Sequence, residues 1–241
     1  MNNNKIFALD LINKNKILMI QKAENLISQG VEIKDPERID IRGELVCGKN
    51  VNIDINVIIE GKVILGNNVT IEANCILTDS TIGQNSSIKA FSLIEGAVIG
   101  KNTFVGPYGR IRPGTMIKDN VQVGNFVEVK NSVILNNGRI NHLSFIGDAY
   151  LDSGVTIGAG TITCNHDGQK INQTFIGKDA YIGSGCNLIA PIKVGNSATI
   201  GAGSTVYKSV PKDQLTLARS EQITLKKWHR TKNKIDNSGQ K

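Results

Sequence analysis

From about Leu65 onward an aliphatic residue recurs every six positions, with a short offset before Ile82, often with glycine directly after it and a small or β-branched residue four places on. The run Ile99-Gly100, Val105-Gly106, Ile111, Ile117, Val123-Gly124, Val129 keeps this step without a slip. The step returns at Ile176-Gly177, Ile182-Gly183, Leu188, Val194-Gly195 and Ile200-Gly201. Such a period predicts a triangular prism: each hexad makes one flat side and one corner, and three hexads close a coil of about 18 residues. The aliphatic residue and the small one four places on both point inward. Glycine after the aliphatic residue is expected to ease the chain through a corner of unusual φ. One coil alone cannot bury its apolar face, so the coils must stack and pair their strands with the neighbours above and below.

The flanks and breaks of the pattern divide the chain. Residues 1–33 are read as a helix and linker, with the helix over Lys14 to about Gln29, Ile17, Ile20, Ala23 and Ile27 near one face, and Gly30 as its cap. Residues 34–210 form the prism, entered through the turn Asp35-Pro36-Glu37, and 211–241 form an arm and tail. Thr161 to Phe175 falls out of step and is expected to leave the prism as a polar loop. A second irregularity surrounds Asn136-Asn137-Gly138 and Ile140-Asn141-His142-Leu143, one coil earlier.

Composition adds limits. Aromatic residues are 5% of the chain and glycines number 25, which suits stacked short strands better than a helical bundle. Cys47, Cys75, Cys164 and Cys186 form no CxxC pair, so reduced thiols are the simplest reading. Asp10 breaks the apolar stretch after Met1, and no segment has the length of a membrane span. A soluble, cytoplasmic protein without membrane association is expected. Most of the net charge of +7 comes from Lys226, Lys227, Arg230, Lys232, Lys234 and Lys241 against Asp236. That terminus is either a solvated tail or lies near a phosphate-rich ligand, and nucleic acid is not expected.

Several residues carry candidate chemistry, each beside a plainer reading. His142 lies outside the inward positions, so it is a surface general base or an idle surface histidine. Glu128, 14 residues earlier, orients that imidazole or is a solvated carboxylate. Arg112 and Lys130 stand 18 residues apart, one above the other, as a phosphate clamp or as solvated charges. Asn165, His166 and Asp167 bind substrate or simply make a turn. The three histidines are His142, His166 and His229, and no metal spacing is evident, so no metal site is expected.

The strings Arg112-Pro113-Gly114, Val123-Gly124-Asn125-Phe126-Val127-Glu128-Val129-Lys130, Gly147-Asp148-Ala149 and Ile157-Gly158-Ala159-Gly160-Thr161-Ile162-Thr163-Cys164-Asn165 carry a resemblance. So do Ile182-Gly183-Ser184, Gly201-Ala202-Gly203-Ser204 and Ala218-Arg219. From about residue 17 to 225 the chain resembles the acetyltransferase half of the bifunctional N-acetylglucosamine-1-phosphate uridyltransferase/glucosamine-1-phosphate acetyltransferases. The resemblance implies an all-β fold, a left-handed parallel β-helix, assembled as a homotrimer with active sites shared between prisms. It implies His142 as general base, Arg112 and Lys130 on the sugar phosphate, and Asn165 on sugar or acetyl donor. Ala159, Ser184, Ala202 and Arg219 would line the acetyl-CoA site.

Three positions depart from that family. Phe145 and His166 stand where it has tyrosine, and Thr156 where it has asparagine, so the sugar site is altered. No loop of the Gly-x-Gly-Thr-Arg-Met type occurs, so uridyl transfer is not expected of this polypeptide. The leading expectation is an acetyl-CoA-dependent glucosamine-1-phosphate N-acetyltransferase. The alternatives are an N-acetyltransferase for another amino sugar or a nucleotide-linked amino sugar, and a non-catalytic trimeric β-helix scaffold.

Overall fold

In a computed structural model, residues 2–228 of the 241 are described, with side chains described from residue 11 onward. His229 and the basic residues Arg230, Lys232, Lys234 and Lys241 lie outside the described residues. After an N-terminal helix, Asn2–Ser28, short strands visit three parallel sheets in rotation up to Thr205–Val206, after which Leu215–Thr216 returns directly to the first. The first sheet has 11 strands from Glu32–Ile33 to Leu215–Thr216, the second 10 from Ile39–Ile41 to Thr205–Val206, and the third 9 from Glu44–Cys47 to Ile192–Val194. The result is a parallel β-helix of the left-handed hexapeptide type.

Why the period of six gives this shape is visible in the core. Ile53, Ile71, Ile88, Val105, Val123, Ile140, Ile157, Ile182 and Ile200 form one inward column along the first sheet, each at most 4% exposed. Each fully buried side chain of this size contributes roughly 1.5–3 kcal/mol. A parallel strand also satisfies its backbone groups on the coils above and below, so each coil is stabilised by its neighbours. The coils are not uniform. Ile53 pairs with Ile71 eighteen positions on, but Val123 pairs with Ile140 only seventeen on, and Ile157 with Ile182. The long interval at Ile157 accommodates the excursion.

That excursion is shorter than expected. Ile162–Cys164 remains a strand of the second sheet and Thr174–Ile176 resumes the third, so the loop spans 165–173. Thr163 keeps the coil closed, because its buried hydroxyl accepts from Gly147 N at 2.7 Å. At Asn136–Leu143 the coil does not break. Arg139–His142 is a regular strand of the first sheet, and Asn137, at φ 63°, takes the preceding corner.

The role expected of the post-aliphatic glycines is also corrected. Of the post-aliphatic glycines only Gly106 has a positive φ, at 99°; Gly66, Gly83, Gly100 and Gly124 do not, whereas Asn68, Asn85, Asn102 and Phe126, two places later, do. These glycines answer to close approach between coils. A Cβ at Gly83 would sit 2.5 Å from the Gly100 carbonyl carbon, and one at Gly124 would strike the Asn141 carbonyl oxygen. Gly124→Ala is therefore expected to cost about 1–3 kcal/mol by overpacking, read as a lower Tm. An unchanged melting curve would refute this account.

The helix ends where glycine was expected to end it. Gly30 has φ 92°, with Gly30 N donating to Ile27 O at 2.9 Å and Val31 N to Leu26 O at 3.1 Å. It begins earlier than Lys14, and its buried face is Ala23 and Leu26, flanked by the partly buried Met19 and Ile20; Ile17 and Ile27 are exposed. Only its last turns meet the first coil, so apolar residues on other faces find nothing to cover them. Among the described residues, no helix is long and apolar enough to cross a membrane.

Candidate active site

Two corners of the prism flank the second sheet, and the candidate residues divide between them. At the corner entering that sheet, successive coils place Pro107, Asn125, His142, Ala159, Ser184 and Ala202 one above another. Register ties the column: Asn125 pairs with His142, Gly160 N approaches His142 O at 3.4 Å, Gly185 N donates to Ala159 O at 2.7 Å, and Gly203 N to Ser184 O at 2.8 Å. Arg219 closes the upper end, with Nη1 donating to Ala202 O at 2.8 Å. From His142 to Ala202 is three coils, roughly 14 Å at the spacing of adjacent strands.

The next residue in each coil takes the left-handed φ and shows a change of character. Below His142 it is Phe91, Tyr108 and Phe126, whose exposed rings stack at 5.1 Å between centroids. Leu143 follows, also exposed, and above it come Gly160, Gly185 and Gly203. Space does not demand these three glycines: added Cβ atoms would meet nothing nearer than 3.8 Å. Nor does φ, since Phe126 adopts 55° in the same place. Their effect is to leave the corner above His142 bare of side chains.

His142 is exposed, and its Nδ1 lies 3.0 Å from Asn125 Oδ1. With Nδ1–H donated to that oxygen, Nε2 keeps its lone pair for a substrate proton. The Ser144 hydroxyl donates to the His142 carbonyl at 2.9 Å and fixes the backbone beneath it. Glu128 does not supply the orienting contact expected of it, because its Oε1 accepts from Arg112 Nη1 at 2.9 Å on the second sheet. Asn125 takes that place.

At the corner leaving the second sheet, Arg112 and Lys130 stand one position beyond the paired Ile111 and Val129, stacked as their spacing indicated. Lys130 Nζ lies 3.4 Å from Asp148 Oδ2. Asp148 also accepts from Asn131 Nδ2 and Asn165 Nδ2, each at 2.6 Å. Burial pushes this carboxyl up, but the two amides and the ammonium outweigh it and hold it below the usual carboxylate range. Phe145 and Asn165 both press on Gly147, where a Cβ would meet the Phe145 ring at 2.5 Å and Asn165 Nδ2 at 2.8 Å.

The remaining candidates are more dispersed. His166 is exposed in the 165–173 loop, where its Nδ1 accepts from Gly168 N at 3.1 Å. Asp167 makes the turn, accepting from Lys170 N and Gln169 N, each at 2.9 Å, and from Asn172. Those bonds hold its carboxyl down at about 2. Thr156 lies on the first sheet between Arg139 and Tyr181, on a different face from Arg112 and Lys130. All four cysteines are free, and burial raises the Cys164 thiol, which suits packing rather than nucleophilic use.

A family profile described as GMPPB C-terminal domain matches residues 41–114, and one described as bacterial transferase hexapeptide (six repeats) matches residues 173–208. The bifunctional protein GlmU of Nitrosospira multiformis is 49% identical over 215 residues, which make up 89% of this chain and 47% of that protein. GlmU of Nitrosomonas eutropha is 54% identical over 214 residues, with the same two shares. The chain is a homologue of GlmU. It spans about half the length of the GlmU relatives it matches. Among solved structures, LpxA from Acinetobacter baumannii is 16% identical with a TM-score of 0.47, covering 78% of this chain and 71% of that one. The likeness to GlmU extends through the coils that carry His142 and Asp148, which neither profile match reaches.

Proposed function

We propose that the chain is an acetyl-CoA-dependent N-acetyltransferase whose acceptor is glucosamine-1-phosphate. The observation that carries this reading is the bare glycine corner rising from an exposed histidine. A long, thin thioester can lie along Gly160, Gly185 and Gly203 with its carbonyl at His142 and its phosphates toward Arg219. Ala159 and Ala202 flank this path. Ser184 stands two coils above His142, roughly 10 Å, and so serves the cofactor arm rather than the reacting carbon. Similarity to GlmU, a protein named as bifunctional, supports the assignment.

The chemistry then needs no covalent enzyme intermediate. His142 Nε2 takes a proton from the acceptor amine as the amine lone pair attacks the thioester carbonyl. The tetrahedral oxyanion collapses, the carbon–sulfur bond breaks, and the proton held by His142 returns to the CoA thiolate. Arg112 and Lys130 bind the sugar phosphate. Arg112→Ala and Lys130→Ala are each expected to raise KM for glucosamine-1-phosphate about 10-fold or more, with kcat nearly unchanged. A fall in kcat at constant KM would place these cations on the reaction instead.

We assign the working form as a homotrimer in the cytoplasm. Thr156 faces away from Arg112 and Lys130, so a neighbouring prism must bring the first-sheet face of one copy against the second-sheet face of another to unite them. A soluble prism of residues 34–210 with flanking helix and arm fits this assembly. Phe145 and His166 favour a second reading, an amino-sugar acceptor other than glucosamine-1-phosphate. Release of CoA thiol from acetyl-CoA, followed with glucosamine-1-phosphate and with a panel of amino sugars, separates the two; thiol release with none of them would leave a scaffold.

A further inference from the structure

Asp148 has a charge that its place in the coil does not require. The corner it occupies takes a left-handed φ, and Asn131 meets that demand one coil below at 44°, against 50° for Asp148. Yet the carboxylate is 5% exposed and gathers three donors: Asn131 Nδ2, Asn165 Nδ2 and Lys130 Nζ. Its backbone also serves the excursion, since the Asp148 carbonyl accepts from Thr174 N at 3.3 Å where the loop returns. Asn165 is thus held at both ends, its side chain by Asp148 and its carbonyl by Asn172 N at 2.7 Å.

An ionised carboxylate can only accept, so Asn165 must turn Nδ2 toward it and leave Oδ1 as the free end of the amide. We propose that Asp148 is a positioning residue whose carboxylate sets the Asn165 amide so that the site presents an acceptor oxygen to its ligand. The group that meets Asn165 Oδ1 is then a hydrogen-bond donor, an amine or hydroxyl of the acceptor sugar. An asparagine at 148 would keep the backbone but remove this constraint, because an amide can donate as well as accept.

The catalytic consequence rests on the acetyltransferase reading, whereas the placement of the amide does not, and the test separates them. In the 15N-labelled full chain, the Asn165 side-chain amide signal is assigned by its loss in Asn165→Ala. Asp148→Asn is expected to move that signal and to reduce its protection from solvent exchange about tenfold or more. An unmoved signal overturns the proposal. In kinetics, Asp148→Asn is expected to raise KM for the amino-sugar phosphate about tenfold with kcat nearly constant. In the Asn165→Ala background the same change should add less than about twofold. An equal penalty in both backgrounds would mean that Asp148 acts through the fold or through Lys130 rather than through Asn165, and would also overturn the proposal. A wild type with no turnover would defeat the acetyltransferase reading, and the amide signal alone would then decide the placement.

Discussion

His142→Ala is expected to lower kcat by about 10²–10⁴-fold, the range over which a positioned general base contributes, while the melting temperature stays within a few degrees. Both halves follow from the same geometry. The imidazole is exposed and its one side-chain partner is Asn125, so its removal opens no cavity and strands no buried group. The bonds from the Ser144 hydroxyl and Gly160 N to the His142 carbonyl survive the change. An acceptor amine, however, then has no group to take its proton as the new bond forms. Asn125→Ala is expected to do less, about tenfold, because it frees the imidazole tautomer without removing the base. Thiol release by both variants, alongside thermal melts, checks the pair; comparable losses in Tm and kcat would make His142 a structural residue.

Gly185→Tyr is expected to weaken acetyl-CoA binding about 100-fold or more, near 2.7 kcal/mol, in a chain that still folds. Gly185 has φ 68°, and Phe91, Tyr108 and Phe126 hold 55–60° at the equivalent place in lower coils. The backbone therefore accepts an aromatic residue there at a cost of order 1–2 kcal/mol. A Cβ at Gly185 meets nothing closer than Gly203 Cα at 4.0 Å. The ring would extend the aromatic ladder into the coils where the corner is bare, and so fill the path assigned to the cofactor. Calorimetric titration with acetyl-CoA gives the readout. Undiminished affinity would show that the cofactor runs elsewhere, and His142 would lose its place at the foot of that path.

The prism was legible because one rule, an aliphatic residue every sixth place, fixes which side chains point inward whatever the rest of each hexad holds. Ile99, Ile111, Ile117 and Val129, picked out by step alone, are all buried to within 1%. Contacts between coils were harder to read, because they depend on coil length to the residue. Asn125 and His142 are 17 positions apart, as are Asn131 and Asp148, and Asp148 and Asn165. A uniform step of 18 misses every one of these pairs, and it left Asn125 and Asp148 out of the site. Arg112 and Lys130 do stand 18 apart, and their stacking was found. The post-aliphatic glycines misled for a related reason: a sequence shows that a side chain is missing, but not whether φ or a neighbouring coil forbids it. The helix face was misjudged because Ile17 and Ile27 satisfy a helical period, while only Ala23 and Leu26 are buried against the prism.

The central claim is acetyl transfer to an amino-sugar phosphate by a site built on His142. Its most direct test is to incubate the full chain with acetyl-CoA and glucosamine-1-phosphate and weigh the sugar product by mass spectrometry. The account predicts N-acetylglucosamine-1-phosphate in equal amount to the CoA thiol released, with both lost in His142→Ala. A folded chain that yields no acetylated sugar, or that yields it equally well without His142, would contradict the account.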